Sequence, residues 1–274
     1  MIEIKKYIIF VFYFFQAIFF KRDFRCPYCN NRRFKVVFKK RIFIDICQCQ
    51  QCGLFWTNPI FKLWNLYDLF YETHNLTTKV IKGKALEGAL ANRFKGTEKD
   101  SSFIVNWIIE NSNGRKLLEF GSSWGYFLYQ AQCAGFNVTG VEISKRRRDF
   151  GIKFLKVDIV PSLDALIYRK EKFDVIFTFH VLEHLVYIGD IFYKFRALLN
   201  DEGILVIDVP YVAIKNREKN FSQIGAIHPL GFSEDFFLYS LSREGFQVDI
   251  CQAYNKFSQE YHWQPIVVCK KKKP

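Results

Sequence analysis

Between Lys116 and Ser144 apolar runs and polar turns follow one another in a regular order. Leu117, Leu118 and Phe120 form a short apolar run, and the chain then turns at Gly121-Ser122-Ser123-Trp124-Gly125. A helical pattern runs to Ala134 and stops at Gly135, and a second apolar run (Phe136, Val138, Val141) ends in Glu142. Strand, glycine turn, helix, strand and acid outline a nucleotide-binding βαβ unit. Downstream, Ser144 caps a basic helix through about Phe150, and Lys153–Val157 reads as a third strand ending at Asp158. Ser162–Arg169 is a predicted helix, Phe173–Thr178 a nearly all-apolar fourth strand, and His180–Leu199 a long helix. Gly203–Val209 is the fifth strand, 210–232 is irregular, and a helix spans Ser233–Arg243 with Gly245 after it. Phe246–Cys251 and Ile266–Cys269 close the sheet. Alternating strands and helices imply an α/β fold with a parallel, doubly wound sheet and ligands at the carboxyl ends of its strands.

Upstream the pattern changes. In residues 60–113, a linker and cap, LWNLYDLFYETHN (63–75) has helical spacing, with Tyr67 and Tyr71 on one face. Those tyrosines either pack inward or line a substrate mouth. Thr77–Gly96 reads as a loop or weak helix. Asp100 or Ser101 caps a helix through Glu110, with Phe103, Trp107 and Ile108 facing the sheet. Within residues 1–25, Tyr7–Phe20 is almost wholly apolar and flanked by basic pairs. As a helix these 14 residues reach about 21 Å, short of the roughly 30 Å of a hydrocarbon core. No small-residue cleavage site marks a removed signal peptide. A membrane-surface anchor, a core segment and a non-native extension from a misplaced start codon all remain open.

Cysteine usage adds a second module at residues 26–59. Cys26-Pro-Tyr-Cys29 and Cys49-Gln-Gln-Cys52 are C-x-x-C pairs with 19 residues between them, the spacing of a zinc ribbon. Two tight turns brought together complete a tetrahedral four-thiolate site, which is structural because no coordination position stays open. RFKVVF and RIFIDI between the pairs read as short strands, and Cys47 is a strand residue rather than a ligand. So small a module requires bound metal for its folding energy. Eight cysteines arranged this way exclude a secreted disulfide framework and indicate a reducing, cytoplasmic setting. The net charge of +13 over 274 residues suits an anionic partner such as RNA, a nucleotide-sugar, a phosphorylated lipid or a membrane surface. Abundant Phe, Ile, Lys, Asn and Tyr, as A/T-biased codons produce, make part of that charge background.

The glycine turn decides the ligand class. A dinucleotide fold has G-x-G-x-x-G, whereas Gly121, Ser123 and Tyr126 stand at those positions, and a bulky Tyr126 argues against a pyrophosphate. Glu142 is placed to accept both hydroxyls of a ribose. The turn resembles instead the first motif of class I S-adenosylmethionine (SAM)-dependent methyltransferases, an acid followed by G-x-G-x-G: Glu119, Gly121 and Gly125 match, and Ser123 replaces the middle glycine. From about Lys116 to Lys270 the chain looks like the ubiquinone-methyltransferase type. LEFGSSWG, Gly140-Val-Glu142, Phe173-Asp-Val-Ile, His180-Val-Leu-Glu183-His184-Leu and Asn200-Asp-Glu-Gly203 carry that likeness. Coupling to two C-x-x-C pairs, Gly53 and Asn58-Pro59 is similar to methyltransferases of sugar and surface-polysaccharide biosynthesis.

The resemblance implies a Rossmann-like, seven-stranded, mostly parallel sheet whose last strand is antiparallel. It implies that Gly121, Ser122, Ser123 and Gly125 contact the methionine part of SAM beside Glu119. Glu142 would hold the ribose with Ile143 next to it, Asp158 the adenine amino group, and Phe179 and His180 would lie by the methyl donor. His180-x-x-Glu183-His184 fits a zinc-peptidase motif literally, but that motif needs a helical setting and a further carboxylate, so the peptidase reading is rejected. Where an acceptor must lose a proton, His180 and His228 are the candidate bases. The implied function is O-methylation of a small-molecule or lipid-linked sugar acceptor, with SAM and structural Zn2+ as cofactors and peripheral membrane contact as a further partner. Two readings compete: an rRNA methyltransferase, against which no target-base motif follows strand four, and a non-catalytic scaffold with a degenerate SAM site.

Overall fold

The computed structural model describes residues 23–40, 44–60, 80–210, 212, 221, 223–225, 227–251 and 267–272. Tyr7–Phe20 and the 63–75 segment with Tyr67 and Tyr71 lie outside the described residues. The chain forms two compact units. One draws on Met1–Leu63, Leu182–Asp190 and Val209–Ser240, the other on Trp64–Val181, Ile191–Asp208 and Leu241–Pro274. A segment from the second half of the chain completes the four-stranded sheet of the smaller unit.

In the smaller unit β1 (Phe34–Lys40) and β2 (Ile44–Cys49) pair antiparallel, and β2 pairs with β3 (Phe55–Asn58). The first two match the predicted strands. Cys47 sits on β2 opposite Trp56, as expected of a strand residue.

The larger unit contains α1 (Lys84–Ala91), α2 (Ser102–Asn111), β4 (Lys116–Phe120), α3 (Tyr126–Cys133), β5 (Asn137–Val141) and α4 (Lys145–Phe150). Asp100 caps α2 by accepting from the Ser102 N–H at 3.0 Å, and Ile104, Val105 and Ile108 face inward. Phe103, predicted to face the sheet, is exposed instead. After α4 come β6 (Asp158–Val160), α5 (Leu163–Tyr168), β7 (Phe173–Phe179), α6 (Ile191–Leu198) and β8 (Leu199–Asp208). The chain then supplies β9 (Leu230–Gly231) to the smaller unit, continues through α7 (Glu234–Arg243), and ends its described part with β10 (Phe246–Cys251) and β11 (Val267–Lys271).

The large sheet runs β10-β11-β8-β7-β4-β5-β6, and only β11 is antiparallel to its neighbours. The implied seven-stranded sheet with an antiparallel last strand is what the chain forms. Phe127 on α3 packs on Phe177 of β7 with ring centroids 4.8 Å apart, each fully buried side chain of this size contributing about 1.5–3 kcal/mol.

Two predicted elements differ. Residues Gly151–Leu155 form a π-helical turn that Lys156 ends at φ 58°, so the third strand starts at Asp158 rather than ending there. The alternation of KFLKV imitates a strand, but Phe154 packs on Phe150 four residues earlier, a helical contact. The predicted helix His180–Leu199 is also shorter. His180 has φ 53°, Leu182–His184 is a single 3-10 turn, and α6 starts only at Ile191. Residues 182–190 belong to the smaller unit, where Ile188 donates to the Pro27 carbonyl at 3.4 Å.

Among the described residues no helix is long and apolar enough to cross a membrane.

Candidate functional site

Strand register brings the predicted chemistry of the larger unit to one sheet edge. Phe120 pairs with Val141 and with Thr178, and Phe179 pairs with Asp208. The residues that follow β4, β5 and β7 therefore emerge together at the carboxyl ends of parallel strands, where such sheets bind ligands.

The first of these is the glycine loop. Gly121 has φ 84°, and a Cβ there would lie 2.2 Å from Val181 Cγ2, so both conformation and space demand glycine. Its N–H and that of Ser122 donate to the Val141 carbonyl at 2.8 and 3.0 Å, tying the loop to the end of β5. Ser123, which stands where the family pattern has glycine, adopts φ 50° and so keeps the left-handed turn. Its N–H donates to Glu142 Oε2 at 2.9 Å, while Ser144 N–H donates to Oε1 at 2.8 Å. Glu142 is thus buried, fixed by two backbone donors, and oriented toward the loop. Each carboxylate oxygen keeps a second lone pair for a ribose hydroxyl.

Three buried polar atoms around this edge lack a hydrogen-bond partner: Glu119 Oε2, Ser122 Oγ and Thr178 Oγ1. Burial, and secondarily the neighbouring Glu142 charge, push the Glu119 carboxyl well above its ordinary value. Buried unsatisfied groups are rare unless a ligand completes them. Ile143, directly after Glu142, leaves 67% of its surface exposed, an apolar face of the kind a base would cover. The residues present therefore fit an adenosine ligand with an ammonium-bearing tail: Glu142 for the ribose, Ile143 for the base, and Glu119 with the loop for the tail.

Asp158, implied to hold the adenine amino group, stands at the start of its strand. It opens β6, opposite Thr139, with an exposed side chain, two register positions before the strand end at Val160. Pro161 and Ser162 occupy the carboxyl end instead, and Ser162 Oγ caps α5 by accepting from Ala165 N–H at 3.4 Å.

Phe179 and His180 emerge at the end of β7 with ring centroids 4.5 Å apart. The His180 N–H donates to the Asp208 carbonyl at 2.8 Å, and His180 Nε2 lies 3.9 Å from Asp208 Oδ1. Asp208, a buried acid closing β8, was missed at the sequence level; a lone carboxylate at the end of the apolar run ILVID was its signal. His228, the other predicted base, belongs to the smaller unit. There its ring meets that of His184 at 4.5 Å between centroids.

The four predicted metal ligands converge. Cys26, Cys29, Cys49 and Cys52 place all their sulfurs within 4.8 Å of one another, with Cys26–Cys52 at 3.5 Å, Cys29–Cys49 at 3.6 Å and Cys29–Cys52 at 3.7 Å. A tetrahedron with Zn–S bonds of about 2.3 Å requires sulfurs about 3.8 Å apart, whereas disulfide sulfurs lie about 2.05 Å apart. Each pair folds the same way: Asn30 (φ 59°) and Gly53 (φ 78°) directly follow the second cysteine, and their N–H groups donate to the Cys26 and Cys49 carbonyls at 3.0 and 3.1 Å. Hydrogen bonds from Cys26 and Cys52 hold the Cys49 thiol far below its usual value, at about 2, while the bond with Cys49 pushes the Cys26 thiol up to about 12. Such sharing of charge among crowded sulfurs is what a divalent cation resolves.

Solved structures share the fold. A protein from Pyrococcus horikoshii is 13% identical with a TM-score of 0.51, covering 74% of this chain and 99% of its own. A SAM-dependent methyltransferase from Clostridium acetobutylicum is 14% identical with a TM-score of 0.48, covering 77% and 100%. A TehB-like SAM-dependent methyltransferase from Corynebacterium glutamicum is 19% identical with a TM-score of 0.46, covering 69% and 100%. No curated protein matches the chain significantly. The methyltransferase-domain family profile matches residues 88–244, more than half of the chain, which therefore belongs to this family as a SAM-dependent methyltransferase.

Proposed function

We propose that the enzyme methylates a hydroxyl of a small sugar-containing acceptor, such as a nucleotide-sugar or a polysaccharide or glycolipid precursor. The observation that carries the hydroxyl chemistry is His180 beside the buried Asp208, at the same strand ends as the glycine loop and Glu142. Bound at that loop, SAM supplies a methyl group already activated by its sulfonium. The protein's part is alignment and proton handling. Glu142 orients the ribose, the exposed Phe179 provides an apolar wall, and His180 takes the proton the acceptor hydroxyl sheds. Asp208 holds the resulting imidazolium. For this role the 3.9 Å separation would have to close to hydrogen-bonding distance when substrate binds.

Support for a sugar-containing acceptor comes from the likeness of the paired C-x-x-C module and its following domain to sugar-modifying methyltransferases. The +13 charge is consistent with a phosphorylated carrier. The test is transfer of radiolabel from SAM to a panel of nucleotide-sugars and polyprenyl-linked sugars, with ribosomal RNA in parallel. Label is expected in the sugars as an alkali-stable ether. His180→Ala should lower kcat by about 10²–10⁴-fold with SAM affinity unchanged. Label in RNA, or a His180→Ala enzyme of full activity, would overturn the reading.

A further inference from the structure

We propose that the smaller unit carries a second metal centre, formed by Glu183, His184 and His228 and distinct from the four cysteines. One ligand atom from each of the three residues lies within 4.8 Å of the others. They come from two separate stretches of one unit: Glu183 and His184 from the 3-10 turn Leu182–His184, and His228 from the irregular segment before β9. His184 Nδ1 lies 3.0 Å from the Ile227 carbonyl, to which it donates. That bond fixes Nδ1 as the donor and sets the direction of the ring, the usual outer-shell device for aiming a ligating imidazole. The His184 and His228 rings meet edge to face at 76°, so their nitrogens approach from different directions. Glu183 is 1% exposed. Its carboxylate therefore reaches the two imidazoles from the interior of the unit, sheltered from competing water.

Donor chemistry selects the ion. Two imidazoles and one carboxylate suit Zn2+ and its neighbours in the transition series rather than Mg2+, which prefers oxygen alone. Three protein ligands leave one tetrahedral position open for an oxygen ligand, water or hydroxyl, whereas the four-sulfur site is closed. The inference stands whether or not the acceptor is a sugar.

The test is cobalt(II) titration of metal-stripped full-length protein, with metal content after equilibrium dialysis against zinc. The first cobalt equivalent should show the intense sulfur-to-metal bands of four thiolates, and the second only weak visible bands without sulfur character. Zinc content should be two per chain. His228→Ala and Glu183→Gln should each reduce it to one, with the thiolate bands intact, and should weaken the second cobalt site by more than about 100-fold, since losing even an outer-shell partner costs roughly 10–100-fold. Saturation of the wild type at one equivalent overturns the proposal without recourse to any variant. So does a second equivalent that persists in both variants.

Discussion

Replacing Gly121 by alanine tests the construction of the cofactor loop. Alanine at φ 84° adopts a left-handed conformation, which costs about 1–2 kcal/mol. Its Cβ would stand 2.2 Å from Val181 Cγ2 and 2.9 Å from Cγ1, and overpacking of that kind costs about 1–3 kcal/mol. The sum, about 2–5 kcal/mol, is a large share of a typical domain's stability. The two terms are separable. Val181→Ala removes both clashing methyls and leaves Val181 Cβ, at 3.1 Å, as the nearest contact. Gly121→Ala/Val181→Ala should therefore recover the overpacking part, a coupling of about 1–3 kcal/mol, and retain the backbone part. Urea unfolding followed by tryptophan fluorescence measures the cycle, and calorimetric SAM titration of each variant reports on the loop. Full stability of Gly121→Ala, or absence of coupling to Val181, would refute this account.

Glu142→Ala removes the acceptor for the Ser123 and Ser144 N–H groups and should weaken SAM binding at least tenfold, since one charge-assisted hydrogen bond contributes about 1.5–3 kcal/mol; calorimetry checks it. Glu119 holds its proton more tightly folded than unfolded, so stability should fall as pH rises above the ordinary carboxyl range and through the folded pKa. Glu119→Gln should then raise Tm at pH 8 and leave it unchanged at pH 3, and an equal shift at both would refute the burial argument. Cys49→Ser should release the ribbon metal and abolish amide protection in β2 and β3 while β7 keeps its own, as hydrogen exchange would show.

The parts of the chain whose signals are local were legible in the sequence. The loop after β4 is dictated by glycines and an acid within about 20 residues of each other, and the cysteine pairs by their own spacing. What escaped depends on distant partners. β9 has only two residues and pairs with β3 across the chain, so no periodicity could reveal it. The apolar residues Leu182 and Ile188 imitate a continuous helix, yet both are buried in a stretch of the smaller unit. Asp158 was displaced because a π-helical turn and a strand share the alternation in KFLKV. His184 and Glu183 looked like ordinary helix-start residues until His228, 44 positions beyond His184, was placed beside them.

The pairing of β3 with β9 bears on how this protein is made. Phe55 and Trp56 find their partners in Gly231 and Leu230, about 175 positions later in synthesis. At 5–20 residues per second the ribosome needs roughly 9–35 s to cover that distance. Throughout that interval the nascent N-terminal sheet presents an open edge to other chains in a crowded cell. Early capture of its metal would hold the cysteine turns together until the closing strand arrives.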